Sequence, residues 1–188
     1  MRNESTCVQK VRRRPPAEIK VVDRSFFGSV NQRITSAIFL DPSINNIGWA
    51  IYHYGKLLSG CIRTQGETLE AKLYSLKTQL EELLDKYAPA RAMVEYPPSF
   101  TYSRSKSAQS QKGLNLESLI KLSLATGVCL SSCAAGGAIT EPIEATWKGP
   151  CNKEYAIAVT GKTNEHEADA CLLRMWFLAR NNPVKRVV

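Results

Sequence analysis

The sequence lacks the features of several protein classes. It has no run of about 18 apolar residues and no signal-peptide hydrophobic region, so neither a membrane span nor secretion is expected. The six cysteines show no paired metal spacing, and His53 and His166 are the only histidines, so a zinc site would lack ligands. Several cysteines lie in apolar runs, as reduced core thiols do. A cytoplasmic location is therefore expected, in a bacterial or phage-infected cell, with an organelle as the alternative.

A nucleotide-triphosphate site is also missing. Residues 161–163, Gly-Lys-Thr, resemble the end of a Walker A loop, but Ala156 stands where that motif needs its first glycine. An actin-like ATPase would need a second Asp-Gly phosphate loop, which the sequence does not contain.

Acidic residues are fewer than basic ones. The chain of 188 residues has a formal net charge of +8 and a pI near 9.3, which indicates a polyanionic partner. Without a membrane segment, nucleic acid is the simpler partner. The length and the apolar content fit one globular domain with a sizeable core.

Three acidic residues stand at informative positions. Asp41 and Glu95 each end a short apolar run, and Asp169 lies in a helical pattern three residues after His166. A short apolar run bounded by turn residues predicts a buried strand, and a carboxylate at its end lies where the sheet opens to solvent. His166 and Asp169 share one helix face, which Leu173 continues. If that face packs on the sheet, all four polar side chains meet.

The remaining pattern predicts a mixed sheet with helices on its faces. Predicted strands are 35–40, 47–54, 57–62 and 91–95, and predicted helices are 69–87 and 115–128. A fifth strand and a last helix, which carries His166 and Asp169, complete the order β-β-β-α-β-α-β-α. That order is an α/β fold with five strands.

Carboxylates and one imidazole at this place are suitable ligands for Mg²⁺ or Mn²⁺. Two such ions about 4 Å apart can clamp the attacking water and the leaving 3′ oxygen in phosphodiester cleavage. Each acid taken alone is better explained as an ordinary strand-end or surface residue, whereas the three together favour a metal site.

At these residues the chain resembles the RuvC type of Holliday junction resolvase, within the RNase H-like superfamily. The similar segments are Ile-Phe-Leu-Asp-Pro-Ser at 38–43, Gly-Trp-Ala at 48–50, Val-Glu at 94–95 and His-Glu-Ala-Asp-Ala at 166–170. Residues 115–128 are similar to the central helix of that family, and residues 142–153 fall where it has a lysine-bearing segment. The resemblance covers roughly residues 35–180.

The resemblance implies an RNase H-like mixed five-stranded sheet flanked by helices, and a metal-dependent endonuclease that acts on four-way DNA junctions as a homodimer. Its metal ligands would be Asp41, Glu95, His166 and Asp169, which hold Mg²⁺ or Mn²⁺, two ions in each site. Lys148 and Lys153 would add positive charge near the scissile phosphate, either in a catalytic role or as solvated loop lysines.

Two further basic elements are candidate DNA contacts. The loop 100–113 follows Glu95 and could hold phosphates or stack on an unpaired base, or it is simply a polar loop. Its candidate residues are Phe100, Tyr102, Arg104, Lys106 and Lys112. Residues 1–34 form a basic extension with Arg12, Arg13 and Arg14, which is either a DNA-binding arm or a solvated tail. The nuclease domain is predicted at 35–182, and a basic tail at 183–188.

Other functions stay open for the same site. It could cut RNA:DNA hybrids or other branched DNA, or the protein could bind junctions without cutting them. Retention of all four predicted ligands argues against a protein that only binds.

Overall fold

The computed structural model describes residues 36–97, 116–148 and 153–181. Its elements, in chain order, are β1 (Ser36–Asp41), β2 (Asn46–His53), β3 (Lys56–Arg63), α1 (Leu69–Tyr87), β4 (Arg91–Tyr96), α2 (Leu116–Ala135), β5 (Ile139–Glu144), a 3₁₀ helix (Ala145–Lys148), α3 (Lys153–Thr160) and α4 (Glu165–Asn181). These described ranges all fall within the predicted nuclease domain.

The five strands form one mixed sheet in the order β3-β2-β1-β4-β5. The first three strands form an antiparallel meander, whereas β4 and β5 are added parallel to β1. Parallel neighbours need a crossover connection, and α1 and α2 supply the two crossovers. The predicted mixed five-stranded sheet is confirmed.

Helices α1 and α2 cover one face of the sheet. Their apolar residues, including Leu76, Leu80 and Cys129, pack in one core with Ile38 and Leu40 of β1. Helix α1 begins at a Thr68 cap, whose hydroxyl accepts a hydrogen bond from the Ala71 N–H, and ends at Ala88 in a left-handed conformation. The predicted bounds of α1 are confirmed.

Helix α4 covers the opposite face. Its residues Ala170, Leu173 and Phe177 pack with Phe39 of β1 and Met93 of β4 in a second core. Successive side chains of a strand alternate between the two faces of the sheet. Phe39 on the α4 face therefore places Asp41 there too, and Met93 places Glu95 on the same side.

Two elements differ from the sequence-based expectation. Helix α2 continues to Ala135, beyond the predicted end at residue 128, because Cys129 and Cys133 are core residues on one face. Judged by length and composition alone, α2 is also the one helix of the described ranges that could cross a membrane. The short helix α3 was not predicted; it packs on α4 through Ala156, Ala168 and Leu172.

Candidate metal-binding site

The two strand-borne acids lie side by side in the centre of the sheet. Leu40 of β1 pairs with Val94 of β4, so the next residues along these parallel strands are Asp41 and Glu95. Asp41 is 6% exposed and Glu95 is 8% exposed. Two carboxylates at such depth repel each other and lose most of their hydration, so they need positive charge nearby.

The start of α4 reaches this edge because β2 carries a glycine there. Gly48 pairs with Asp41, and a Cβ added at Gly48 would lie 1.7 Å from the backbone oxygen of His166. The helix backbone therefore rests directly on the strand backbone, which only a residue without a side chain permits. This close approach brings the first turn of α4 to the carboxylates of the sheet.

Polar contacts fix the first turn of α4 on its other side. Asn164 caps the helix, since its side-chain oxygen accepts a hydrogen bond from the Glu167 N–H at 3.1 Å. The Glu167 carboxylate accepts from the Ser59 hydroxyl of β3 at 2.8 Å and pairs with Lys162 at 2.9 Å. Helix α4 is thereby tied to the edge strand near the point where His166 and Asp169 project.

The Lys148 ammonium lies among the three carboxylates. Its Nζ is 2.8 Å from Asp169 Oδ2, 2.9 Å from Glu95 Oε1 and 3.5 Å from Asp41 Oδ1. Lys148 is the last residue of the 3₁₀ helix that follows β5, and β5 runs parallel to β4. Because parallel strands end at the same edge, the segment after β5 is delivered to the acids of β1 and β4.

Each carboxylate of the sheet has a second partner. The other oxygen of Asp41, Oδ2, is 2.7 Å from His166 Nδ1, and the other oxygen of Glu95, Oε2, accepts a hydrogen bond from the Trp147 indole at 3.0 Å. The contact of His166 with Asp41 leaves Nε2 as the ring nitrogen that could bind a metal. Trp147 is itself held against Trp176 of α4, with ring centroids 5.7 Å apart.

The protonation behaviour of the site indicates an excess of negative charge. Burial, together with the neighbouring Asp41, raises the pKa of Glu95 to about 7. Burial raises the pKa of Asp169 as well. Burial alone would lower the pKa of Lys148, but Asp41, Glu95 and Asp169 outweigh it and the pKa is raised. The hydrogen bond to Asp41 raises the pKa of His166. Cations are therefore favoured here.

The donor set fits a hard divalent cation. Three carboxylates offer oxygens within 3.5 Å of one point, which Lys148 Nζ marks, and carboxylate oxygens are the ligands that Mg²⁺ and Mn²⁺ prefer. Across the described ranges, no three His, Cys, Asp or Glu side chains are already spaced as ligands of one ion. The Lys148 ammonium lies between these carboxylates.

The structure brings together Asp41, Glu95, His166, Asp169 and Lys148 of the sequence-predicted site. Lys153 is apart from them: it is the first residue of α3, is exposed, and pairs with Glu165. The prediction that both lysines lie in a loop is wrong, since Lys148 is the last residue of the 3₁₀ helix and Lys153 is the first residue of α3. The remaining candidates lie outside the described residues; they are Arg12, Arg13, Arg14, Phe100, Tyr102, Arg104, Lys106 and Lys112.

Sequence reasoning missed two residues that shape the site. Trp147 lies in the segment 142–153 and was not predicted as a site residue, although its indole donates a hydrogen bond to Glu95. Gly48 was noticed only within the strand motif, although the approach of α4 depends on it. A glycine inside a strand is a signal of close backbone approach, so Gly48 could have been found from the sequence.

Comparisons with known proteins support the architecture. No protein-family profile and no curated protein sequence matches the chain. Among solved structures, the chain is similar to a Thermus thermophilus RuvC in complex with a Holliday junction substrate, with a TM-score of 0.55 and 16% identity. It is also similar to a second T. thermophilus RuvC structure, with a TM-score of 0.52 and 18% identity. Each match covers 78% of this chain and 95% of the other.

The likeness concerns the whole arrangement rather than one motif. The structural matches cover nearly the full length of the RuvC chains. The mixed five-stranded sheet with flanking helices agrees with this similarity. The predicted RNase H-like fold is thus confirmed, and the fold of this chain is RuvC-like.

Proposed function

We propose that this protein is a metal-dependent, structure-selective endodeoxyribonuclease that resolves four-way DNA junctions by paired phosphodiester cleavage. One observation carries the proposal: the carboxylates of Asp41, Glu95 and Asp169 converge, from three separate elements, at one edge of a RuvC-like sheet. A cluster of buried acids costs stability, so its presence favours a functional role, and phosphodiester hydrolysis with divalent cations is a role that suits these groups.

The site would hold Mg²⁺ or Mn²⁺, with two ions in each site. When bound, such ions stabilise negative charge on the attacking water and on the leaving 3′ oxygen. Asp41, Glu95 and Asp169 would be the ligands, with His166 as a further ligand through Nε2. His166 Nδ1 orients Asp41, and the Trp147 indole orients Glu95, so both carboxylates keep their direction when substrate arrives.

Branched DNA is the proposed partner. The net charge of +8 favours a polyanion, and one similar structure is a RuvC bound to a Holliday junction substrate. We assign phosphate contacts to Lys148 and Lys153 and to the basic elements predicted at 12–14 and 100–113. We further propose a reducing, cytoplasmic environment, since Cys61, Cys129, Cys133 and Cys171 are free thiols.

A nuclease for RNA:DNA hybrids or for other branched DNA is the second candidate. The same carboxylates could serve it, so the choice depends on the substrate rather than on the site. A junction-binding protein without cleavage is a third candidate, and the convergence of all predicted acids disfavours it.

The deciding experiment compares cleavage of matched substrates. We expect a four-way junction to be cut with Mg²⁺ at two symmetry-related positions, whereas flap, hybrid and linear duplex of the same sequence are cut at least about tenfold more slowly. The control omits the metal and adds a chelator, which should stop cleavage. Preferred cleavage of the hybrid or flap would move the function to the second candidate, and junction binding without any cleavage would favour the third.

We propose that the protein acts as a homodimer, because two symmetric cuts need two equivalent sites. Helix α2 offers the surface. Its residues Leu116, Ile120 and Leu124 recur every four positions and are 71%, 49% and 41% exposed, so they form an apolar stripe that faces away from the core. A second copy of the same helix would cover this stripe.

Introducing charge into this stripe should separate the dimer. We expect Ile120→Glu and Leu124→Glu to turn a dimer into a monomer at micromolar concentration, because each buries a carboxylate against an apolar surface. Light scattering measures the mass. Tyr74→Glu is the matched control, since Tyr74 is an exposed apolar residue on α1 and the dimer should survive its loss. A wild-type protein that is monomeric throughout would refute the dimer.

A further inference from the structure

We propose that Lys148 is an internal counter-cation: in the metal-free protein its ammonium occupies the position of a divalent ion, and it leaves that position when the ion binds. This inference rests on the metal site of the proposed function. The new element is that one position of the site always holds a cation, either the Lys148 ammonium or a divalent ion.

The contacts of Lys148 are those of a bound ion rather than of an ordinary salt bridge. Its Nζ is within 3.5 Å of oxygens from three carboxylates, and these belong to β1, β4 and α4. An ammonium has three N–H donors, and here three acids face them. By contrast, Lys77, Lys153 and Lys162 each pair with one carboxylate.

The same oxygens cannot serve the ammonium and a divalent ion together. Mg²⁺ binds oxygen at about 2.0–2.1 Å and demands near-octahedral geometry, so an ion at this point would fill the space that Nζ now holds. An ammonium and a dication so close together would also repel strongly in a site this buried. Binding of the ion therefore requires Lys148 to swing out.

The position of Lys148 allows that movement without loss of the site. It is the last residue of a 3₁₀ helix, whereas its neighbour Trp147 anchors the segment by its hydrogen bond to Glu95 and its tilted ring contact with Trp176. The four-carbon side chain of a lysine can change rotamer while the backbone stays in place. After the exchange the ammonium lies beside the metal site, where it could donate a hydrogen bond to a phosphate oxygen of the substrate.

The exchange explains how three acids can gather before any metal arrives. Without the lysine, the buried carboxylates of Asp41 and Glu95 would repel each other with no cation between them. With the lysine in place, the site is assembled in advance, and the dication has only to replace one ammonium.

The exchange can be observed directly by NMR of the ammonium groups in ¹⁵N-lysine-labelled full-length protein. We expect a slowly exchanging Lys148 signal in the metal-free protein, identified by its absence in Lys148→Met, and its disappearance on saturation with Mg²⁺. Calorimetry should show that Lys148→Met binds Mg²⁺ at least about tenfold more tightly than wild type, since no cation has to leave. The metal-free variant should also unfold at a lower temperature, and Mg²⁺ should restore the loss.

Lys153→Met is the control for charge acting at a distance. It removes one lysine from α3, next to α4, but leaves the carboxylates with their ammonium, so the Mg²⁺ affinity should change less than about threefold. An unchanged Lys148 signal at saturating Mg²⁺, or equal affinities of Lys148→Met and wild type, would overturn the exchange while leaving the nuclease intact. If Lys148 and Mg²⁺ exchange as expected but the protein cuts no DNA, the proposed nuclease function is refuted and the proposed exchange stands. Absence of Mg²⁺ binding in wild type and variant alike would overturn both.

Discussion

Replacing any one of the three converging carboxylates by its amide is expected to lower junction cleavage by about three orders of magnitude. The changes are Asp41→Asn, Glu95→Gln and Asp169→Asn. Each keeps the size of the side chain but removes the negative charge that would hold a divalent ion. Single-turnover cleavage of a labelled four-way junction at saturating enzyme measures the chemical step apart from DNA binding.

The same variants should fold and bind junctions as well as wild type or better. Removing a buried carboxylate from a cluster with like charges relieves repulsion, and it also removes a negative charge near the phosphates. Glu141→Gln is the matched control: Glu141 lies on β5, is paired with Arg91, and its loss should leave cleavage unchanged. Wild-type cleavage by any of the three amide variants would refute the assignment of that residue.

Gly48→Ala should disable the site without removing any polar side chain. The new Cβ would lie 1.7 Å from the His166 backbone oxygen, and neither the strand nor the helix backbone can give way by rotating a side chain. Overpacking typically costs about 1–3 kcal/mol and occasionally more, and a clash with backbone atoms is expected at the upper end of that range. To relieve it, α4 must move away from β2 and carry His166 and Asp169 away from Asp41. Denaturant unfolding measures the stability, and the cleavage assay measures the loss of activity, which should be at least about a hundredfold.

The chain offers a matched control for the added methyl group. Gly127 lies within α2 with nothing within 4 Å of its added Cβ, so Gly127→Ala should leave the free energy of unfolding unchanged or raise it by about 0.5–1 kcal/mol. If Gly48→Ala were as stable as Gly127→Ala and as active as wild type, direct backbone contact between β2 and α4 would not be what positions the helix.

Much of the fold could be predicted from the sequence because the relevant signals are local. Alternating and continuous apolar runs identified the strands, and apolar residues spaced three or four apart from Leu69 to Tyr87 identified α1 to the residue. The end of α2 was predicted too early, because Cys129 and Cys133 continue its buried face without the leucines that mark the earlier turns. Helix α3 has few buried residues of its own and gave no periodic signal.

The sequence by itself determined which residues were candidates: strand-end acids Asp41 and Glu95, and the pair His166 and Asp169 one helical turn apart. That information is local, since a strand alternates every two residues and a helix repeats about every 3.6. Only the tertiary structure decided that Lys148 lies among the acids, that Lys153 does not, and that Trp147 holds Glu95. Together with the contact of His166 and Asp41, these contacts join residues 21 to 125 positions apart in the chain. Sheet order and the backbone approach at Gly48 decide which of such distant residues meet.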